Sequence, residues 1–353
     1  MTSGDLVVVE KRAFAHLQAA ALAVGMCVRD KYPVLEYESA AEWLFRIVPC
    51  TTRQERVDPQ LASRVSSLCH FGVSEYPAYA RLSRLGDDGP LYSVALDHSW
   101  ALWAWSRWLR ESRHRDRGRP LLIHIDFHDD LSSPPIGRTD HPGVFVPPFG
   151  RHPVVIEDPE SVHRAIARGF LGIGGFIIPF LSATGACDMM HLRSAGVHDP
   201  RVERVGIKIT SRAREYLGRS VQQPEATRVA ASAHSGALIS LLSTDVPEAL
   251  LDVRANGAVL LDIDLDYFCN RLDRGDAANA GASEKDVIRQ VSALMNLVGQ
   301  CEFAERIEVV TVAMSPGFFP SEYWKTSLAT LEGSLLKMAA KWHLIDDRSF
   351  NHA

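Results

Sequence analysis

Residues 121–131 read LLIHIDFHDDL, an apolar run that stops at Asp126 and then crowds His128, Asp129 and Asp130 against it. Carboxylates this close repel one another unless a cation, a proton or bulk water relieves them. Imidazole nitrogen beside carboxylate oxygen is also a donor set for divalent metals. In a strand-end turn, residues i, i+2 and i+4 lean toward one cavity, and Asp126, His128 and Asp130 have that spacing. His124 is expected to point away from them as a packed core histidine, and Asp129 to be solvated or to support its neighbours.

Two further segments end the same way. LYSVALDHS (91–99) stops at Asp97 and His98, and AVLLDIDLDYF (258–268) at Asp262, Asp264 and Asp266. An Asp-x-Asp pair alone carries almost no information. The weight comes from position, since each cluster falls where an apolar strand stops, and parallel sheets bind ligands beyond the carboxyl ends of their strands. His98, Asp126, His128, Asp130, Asp262 and Asp264 together offer more donors than one tetrahedral zinc needs and suit a pair of octahedral-leaning ions, two Mn2+ per chain. Two ions roughly 3.5–4 Å apart hold a bridging water and lower its pKa toward about 7. The competing role for His98 is a cap on the helix that follows it. Asp266 is expected to orient His98 or His128, as histidine ligands require.

These clusters need a scaffold that delivers strand ends side by side. From residue 91 onward, strand-like runs (91–96, 120–125, 202–209, 258–263, 306–314) alternate with helical ones (99–112, 161–170, 225–243, 283–300, 321–342). Short apolar strands alternating with helices imply a mostly parallel sheet covered on both faces, an α/β fold of three layers. Ser283 and Asp286 have the spacing of a capping box at the start of one helix. Residues 1–88 differ in texture. A strand over 6–10 precedes helices expected over 11–26, 38–48 and 61–71, and a turn-rich linker over 83–90. The division expected is a mostly helical extension (1–88) and one α/β domain (89–353).

Composition narrows the function. The 353 residues are 46% hydrophobic and 23% charged, ordinary for a globular protein, and a net charge of −5 offers no field for nucleic acid or an anionic membrane. The basic stretch 110–119 reads as a solvated connection. Six cysteines without a CxxC pair fit a reducing compartment and argue against a cysteine-ligated zinc. The N-terminus lacks a signal-peptide pattern, and the most apolar window, FLGIGGFIIPFL (170–181), is too short to span a bilayer. A cytoplasmic protein is expected. GIGG (172–175) lacks the surroundings of a phosphate loop, and Trp100, Trp103, Trp105 and Trp108 read as helix-packing anchors.

His, then Asp-x-His-x-Asp, then Asp-x-Asp at successive strand ends resembles the arginase/agmatinase (ureohydrolase) superfamily, in DHS (97–99), DFHDD (126–130) and DIDLD (262–266). LDHSWALWAW, LLIHIDFHDDL, LGIGGFIIP, LLDIDLDYF and VTVAMSPGFFP carry a closer likeness to the branch containing peptide arginases, over about residues 91–320. The resemblance implies the αβα arginase/deacetylase-like fold. It implies one ion on His98, Asp126, Asp130 and Asp262 and a second on Asp126, His128, Asp262 and Asp264. The implied reaction is hydrolysis of an arginine guanidinium to ornithine and urea, with Asp130 accepting a hydrogen bond from the attacking water. The implied partner is an arginine-containing peptide, such as a ribosomally made precursor, and a homo-oligomer is compatible with it.

The chain also departs from that pattern. VAL precedes the first motif in place of paired glycines. Where a glutamate would hold the guanidinium, near the last strand end, the chain has Ala313 or Met314, leaving Glu322 or Asp266 as substitutes. Ser132 stands where part of a free-amino-acid clamp is placed, so a peptide arginine fits better than free arginine. His141, and less so His152, in the long loop 132–153 are candidate proton shuttles for the leaving amine. The alternatives are a zinc amide deacetylase of the same fold, a haloacid-dehalogenase-like phosphatase read from VLLDIDLDYF, and a non-catalytic metal-containing peptide-binding protein.

Overall fold

The computed structural model describes residues 6–10, 21, 31–49, 81–85, 89–111, 118–148, 152–185, 187–194, 202–216, 219–230, 239–272 and 281–349. Strands β1 (Leu6–Glu10), β2 (Lys31–Glu38) and β3 (Glu42–Pro49) form an antiparallel sheet in the order β1-β3-β2. The helix expected over 38–48 is therefore a turn and a strand. Ser39 caps the turn by accepting from the Ala41 and Glu42 amides, and alternating large residues then favour the pleat. Phe45 is fully buried in the main core. The helix expected over 61–71 lies outside the described residues, as does that over 11–26 except for helical Ala21.

Of segment 83–90, expected as a linker, residues 83–84 end β4 (Arg81–Arg84), 86–88 lie outside the described residues, and the Leu85 amide donates to the Pro90 carbonyl at 3.1 Å just before β5 (Leu91–Ala95). Helix α1 (Ala101–Arg110) and β6 (Leu121–Asp126) follow. The loop after β6 holds β7 (Gly137–Arg138) and β8 (Val144–Val146), which form a small sheet with β9 (Val154–Val155). Next come α2 (Pro159–Ala167), α3 (Ile177–Thr184), β10 (Asp188–Arg193), β11 (Val202–Tyr216), β12 (Arg219–Ala230) and β13 (Ile239–Thr244). The chain closes with β14 (Val259–Asp264), α4 (Glu284–Val298), β15 (Ile307–Ala313) and α5 (Trp324–Ser349).

The central sheet runs β12-β11-β13-β10-β6-β14-β15-β5-β4, parallel from β13 to β5 and antiparallel at both margins. Helices cover both faces. Leu122 and Leu260 share one core with Trp105, Ile166 and Phe180 of α1, α2 and α3. Ile123, Ile125, Leu261 and Ile263 share the other with Val291 of α4 and Leu331 of α5. This is an α/β protein with a large, mostly parallel sheet between helical layers. Its central strands are apolar on both faces because both are buried. Among the described residues no helix is long and apolar enough to cross a membrane.

The helix expected over 225–243 is a second correction. Its first part is β12, paired with β11 in a long antiparallel hairpin, and its last is β13; residues 231–238 lie outside the description. Alanine-rich composition favours helix only weakly, and pairing with β11 overrides it. The Ser283–Asp286 capping box, by contrast, is present.

Hairpin β11–β12 supports the loop after β6. The buried Gln223 amide donates to the Ser133 and Pro134 carbonyls at 3.1 and 2.9 Å. Replacing Gln223 with Ala leaves both carbonyls without that donor, and should lower stability by about 1–3 kcal/mol in urea unfolding.

Candidate metal centre

Three strand ends meet in one place. β5 ends at Ala95 and leads into a 3-10 turn, His98–Trp100; β6 ends at Asp126; β14 ends at Asp264 and passes into a second 3-10 turn, Leu265–Tyr267. Strands β6 and β14 are neighbours, and β15 separates β14 from β5. Above these ends lies a cavity of about 330 Å³ lined by His98, Asp126, His128, Asp130, Asp264 and Asp266, with Asp97, Asp129 and Ser132 also on its wall.

His98 is the hub. Its Nδ1 lies 2.9 Å from Asp126 Oδ2, 3.0 Å from Asp130 Oδ2 and 3.1 Å from Asp264 Oδ2. Its Nε2 donates to Asp262 Oδ2 at 2.9 Å. His98 Nδ1 and Asp126 Oδ2 are buried, yet neither makes a well-formed hydrogen bond. One nitrogen cannot satisfy three carboxylates. Donor atoms about 2.1 Å from an octahedral ion stand about 3 Å apart, which is the spacing here, so the residues fit a divalent cation. A second group forms around His128, whose Nδ1 lies 3.2 Å from Asp266 Oδ2 and 3.6 Å from Asp126 Oδ1. Groups of His and Asp that could hold metal ions are thus present, buried Asp126 and Asp266 with half-buried His128 among them.

Backbone conformation supports the centre. Among the described residues only Asp130 and Ser315 combine a side chain with positive φ, 47° and 44°, and both line the cavity. Left-handed backbone at non-glycine residues costs about 1–3 kcal/mol and persists where the surroundings enforce it. The loop is held by the Ser132 amide on the Gly174 carbonyl at 2.8 Å. Ser315 is held by its amide on Leu96, and its hydroxyl donates to Asp264 Oδ2 at 2.5 Å.

The sheet register builds a polar row beneath the cavity. Ser243, His191, His124, Asp262, Thr311 and Ser93 stand opposite one another on six successive strands, all buried. His124 Nδ1 lies 2.8 Å from Asp262 Oδ2, and its Nε2 lies 3.1 Å from the His128 carbonyl. Its ring stacks on His98, with centroids 5.4 Å apart. His191 donates through Nε2 to the Asp126 carbonyl at 3.2 Å and lies 3.4 Å from the Ser243 hydroxyl through Nδ1. His124 therefore belongs to the site and does not point away from it. Residues 124 and 126 are two apart, so strand alternation puts them on one face, and that signal was readable from the sequence.

The other expected residues divide. Asp266 does contact His128, and it also accepts from the Asn270 amide at 3.3 Å and the Phe127 amide at 3.3 Å. Asp129 lines the cavity mouth and pairs with Arg228 of β12 at 3.1 Å. Glu322 pairs with Arg271 and does not line the cavity. His141 is exposed in the turn between β7 and β8, away from the lining, and His152 is also exposed and off it. Neither is placed to shuttle a proton. No family model matches the chain, and no curated protein matches it.

The charges packed into this cluster tie its stability to pH. Burial opposes the charge on His128, but the hydrogen bonds and charges of Asp126 and Asp266 outweigh it and push it up to about 12. Burial and the Asp126 charge raise Asp130; burial with the charges of Asp264 and Asp126 raises Asp266 well above the carboxylate range. A raised folded-state pKa contributes stability below the unfolded value and loses it as pH rises through the folded one. For the two carboxylates that loss begins near 3.8, and for His128 near 6.5. Asp262, held down to about 2 by His98 and His124 against the cost of burial, works oppositely and loses its contribution as pH falls from near 3.8 toward 2. Chelator-treated protein should therefore melt at progressively lower temperature from about pH 6 to about pH 9. The gain in melting temperature from added divalent cation should grow over the same range, because ligands must shed protons to bind.

Proposed function

We propose that this chain is a binuclear manganese hydrolase that converts arginine side chains, within a peptide, to ornithine and releases urea. The observation that carries the reading is the acidic cavity at three strand ends, where His98, Asp126, His128, Asp130 and Asp264 converge and would hold the ions. Two such ions supply a nucleophilic water at neutral pH and stabilise charge developing in the reaction.

The chain's own residues do the rest. An arginine guanidinium stays protonated at neutral pH, and a cavity walled by Asp97, Asp126, Asp129, Asp130, Asp264 and Asp266 attracts it. Pro316 and Phe318 give the wall an apolar strip for the methylene stem. Asp130, whose second oxygen Oδ1 faces Gly174, accepts a hydrogen bond from the attacking water. Gly174 has φ +79°, a left-handed backbone that favours glycine, and a Cβ there would meet that oxygen only in ordinary contact at 3.6 Å. Ala313 and Met314 are buried at the end of β15, so no carboxylate stands there to grip a guanidinium. Glu322 is engaged by Arg271 and Asp266 by His128 and Asn270, so attraction of the guanidinium rests on the acidic wall as a whole. A cytoplasmic setting accords with the buried thiols of Cys187, Cys269 and Cys301.

The test is urea release from arginine-containing peptides with added Mn2+. Activity is expected on peptides and not on free arginine, and Asp130→Asn should slow turnover by about 10²-fold or more. Asp126→Asn should abolish turnover while peptide binding remains. Two manganese ions per chain by elemental analysis are expected, whereas one zinc would favour amide hydrolysis. A folded, metal-loaded protein that releases no urea from any arginine peptide overturns the reading.

A further inference from the structure

Resting on that reading and refining its ligand set, we infer that β14 supplies Asp264 and Asp266, not Asp262, to the ions. On this inference Asp262 and His124 form a buried positioning pair that holds the His98 ring with Nδ1 toward the cavity.

Four observations lead here. Asp264 and Asp266 line the cavity, whereas Asp262, 0% exposed, lies below it in the polar row. All three carboxylates accept hydrogen bonds, but Asp264 and Asp266 also reach the Nδ1 atoms of His98 and His128, whereas Asp262 meets only Thr311, His124 and the far nitrogen of His98. Asp262 Oδ1 accepts the Thr311 hydroxyl at 2.5 Å, and Oδ2 lies 2.9 Å from His98 Nε2 and 2.8 Å from His124 Nδ1. Asp126 straddles two groups, with Oδ2 against His98 Nδ1 and Oδ1 toward His128 Nδ1. Asp264 Oδ2 joins the first group at 3.1 Å from His98, and Asp266 Oδ2 joins the second at 3.2 Å from His128. The Asp-x-Asp pair that serves the cavity is therefore one strand step further along than the motif's first two aspartates.

Asp262 then has a different task. An imidazole that donates Nε2–H to a carboxylate keeps its lone pair on Nδ1, where it can bind a metal. Asp262 imposes that tautomer on His98. His124 holds Asp262 from the other side and braces the His128 carbonyl, so one ring steadies parts of both groups. His98, His124 and Asp262 also lie close enough together to hold an ion themselves. An ion there would take Nε2 of His98, and the ring would then not present its lone pair at Nδ1. The two arrangements are exclusive and distinguishable.

The test counts Mn2+ per chain and measures its affinity by titration calorimetry for the wild type, Asp266→Asn and Asp262→Asn. Asp266→Asn is expected to lose one of two ions. Asp262→Asn is expected to keep two while binding them about 10–100-fold more weakly, as loss of an orienting partner does. In wild type loaded with diamagnetic Mg2+, 15N NMR of the histidine rings should show His98 bound through Nδ1 and protonated at Nε2. Two ions at wild-type affinity in Asp266→Asn, one or none in folded Asp262→Asn, or His98 bound through Nε2 would each overturn the inference. If Asp262→Asn fails to fold, Asp266→Asn and the ring spectrum still decide it. A wild type that binds no Mn2+ overturns the parent reading itself, so the two failures differ.

Discussion

Five aspartates, Asp126, Asp130, Asp262, Asp264 and Asp266, are each at most 7% exposed within one cluster, and among the described residues their ion pairs are with histidine. Two like charges 4 Å apart repel by about 4 kcal/mol at an effective dielectric of 20, and the cluster holds several such pairs. Three imidazoles offset part of this and are themselves drawn toward the charged form. His98 and His124 are both raised, despite burial that opposes the charge. His191, one strand further out, goes the other way, held down to about 4 by burial and by His124 beside it. Charge compensation thus stops sharply at His124, and the next histidine serves as a neutral hydrogen-bonding floor.

Such a cluster survives only on a frame that cannot relax. Parallel strands β6, β14 and β15 lie between two apolar layers and are held from both faces. Their ends cannot splay to separate the carboxylates without exposing Ile125, Ile263 or Val312, which are buried in the second core. The positive φ values at Asp130 and Ser315 belong to the same account. Each lies just beyond a buried strand end, and each is fixed by hydrogen bonds from a neighbouring segment, Gly174 for the loop after Asp130 and Leu96 for Ser315. The frame carries the repulsion, and the turns aim the donors.

Much of this was legible in the sequence because apolar strands that stop at polar clusters are a local signal. β5, β6, β14 and β15 and their terminal residues follow from it. The misreadings have separate physical causes. ESAAEWLFRIV and EATRVAASAHSGALISLLS contain alanines that favour helix, but strands are decided by partners, here β2 and β11, which precede β3 and β12 in antiparallel hairpins. The polar row could not be foreseen as a row, because register across six strands is a tertiary fact; Thr311 and Ser243 are unremarkable in isolation. His124 is different, since parity alone places it with Asp126. The choice among Asp262, Asp264 and Asp266 also lay beyond the sequence, because all three share parity and only depth separates them.

Depth also explains how one strand can serve two purposes. Residues two apart on a strand are displaced by roughly 6–7 Å along it. Asp262 therefore sits level with His124 and Thr311, where the sheet is closed by neighbours on both sides, and Asp264 sits level with Ala313, where β15 ends. The deeper carboxylate is saturated by a hydroxyl and two rings and has no route to solvent. The shallower one accepts the Asp266 amide through Oδ1 and the Ser315 hydroxyl through Oδ2, and lines the cavity beside His98. Asp266, in the turn beyond and itself only 1% exposed, also lines the cavity. The same alternation acts on β6, where His124 lies in the floor and Asp126 in the wall. A pair of adjacent strands with that graded arrangement builds its own support directly beneath its own site, so a substitution in the floor should alter how the wall binds without touching it.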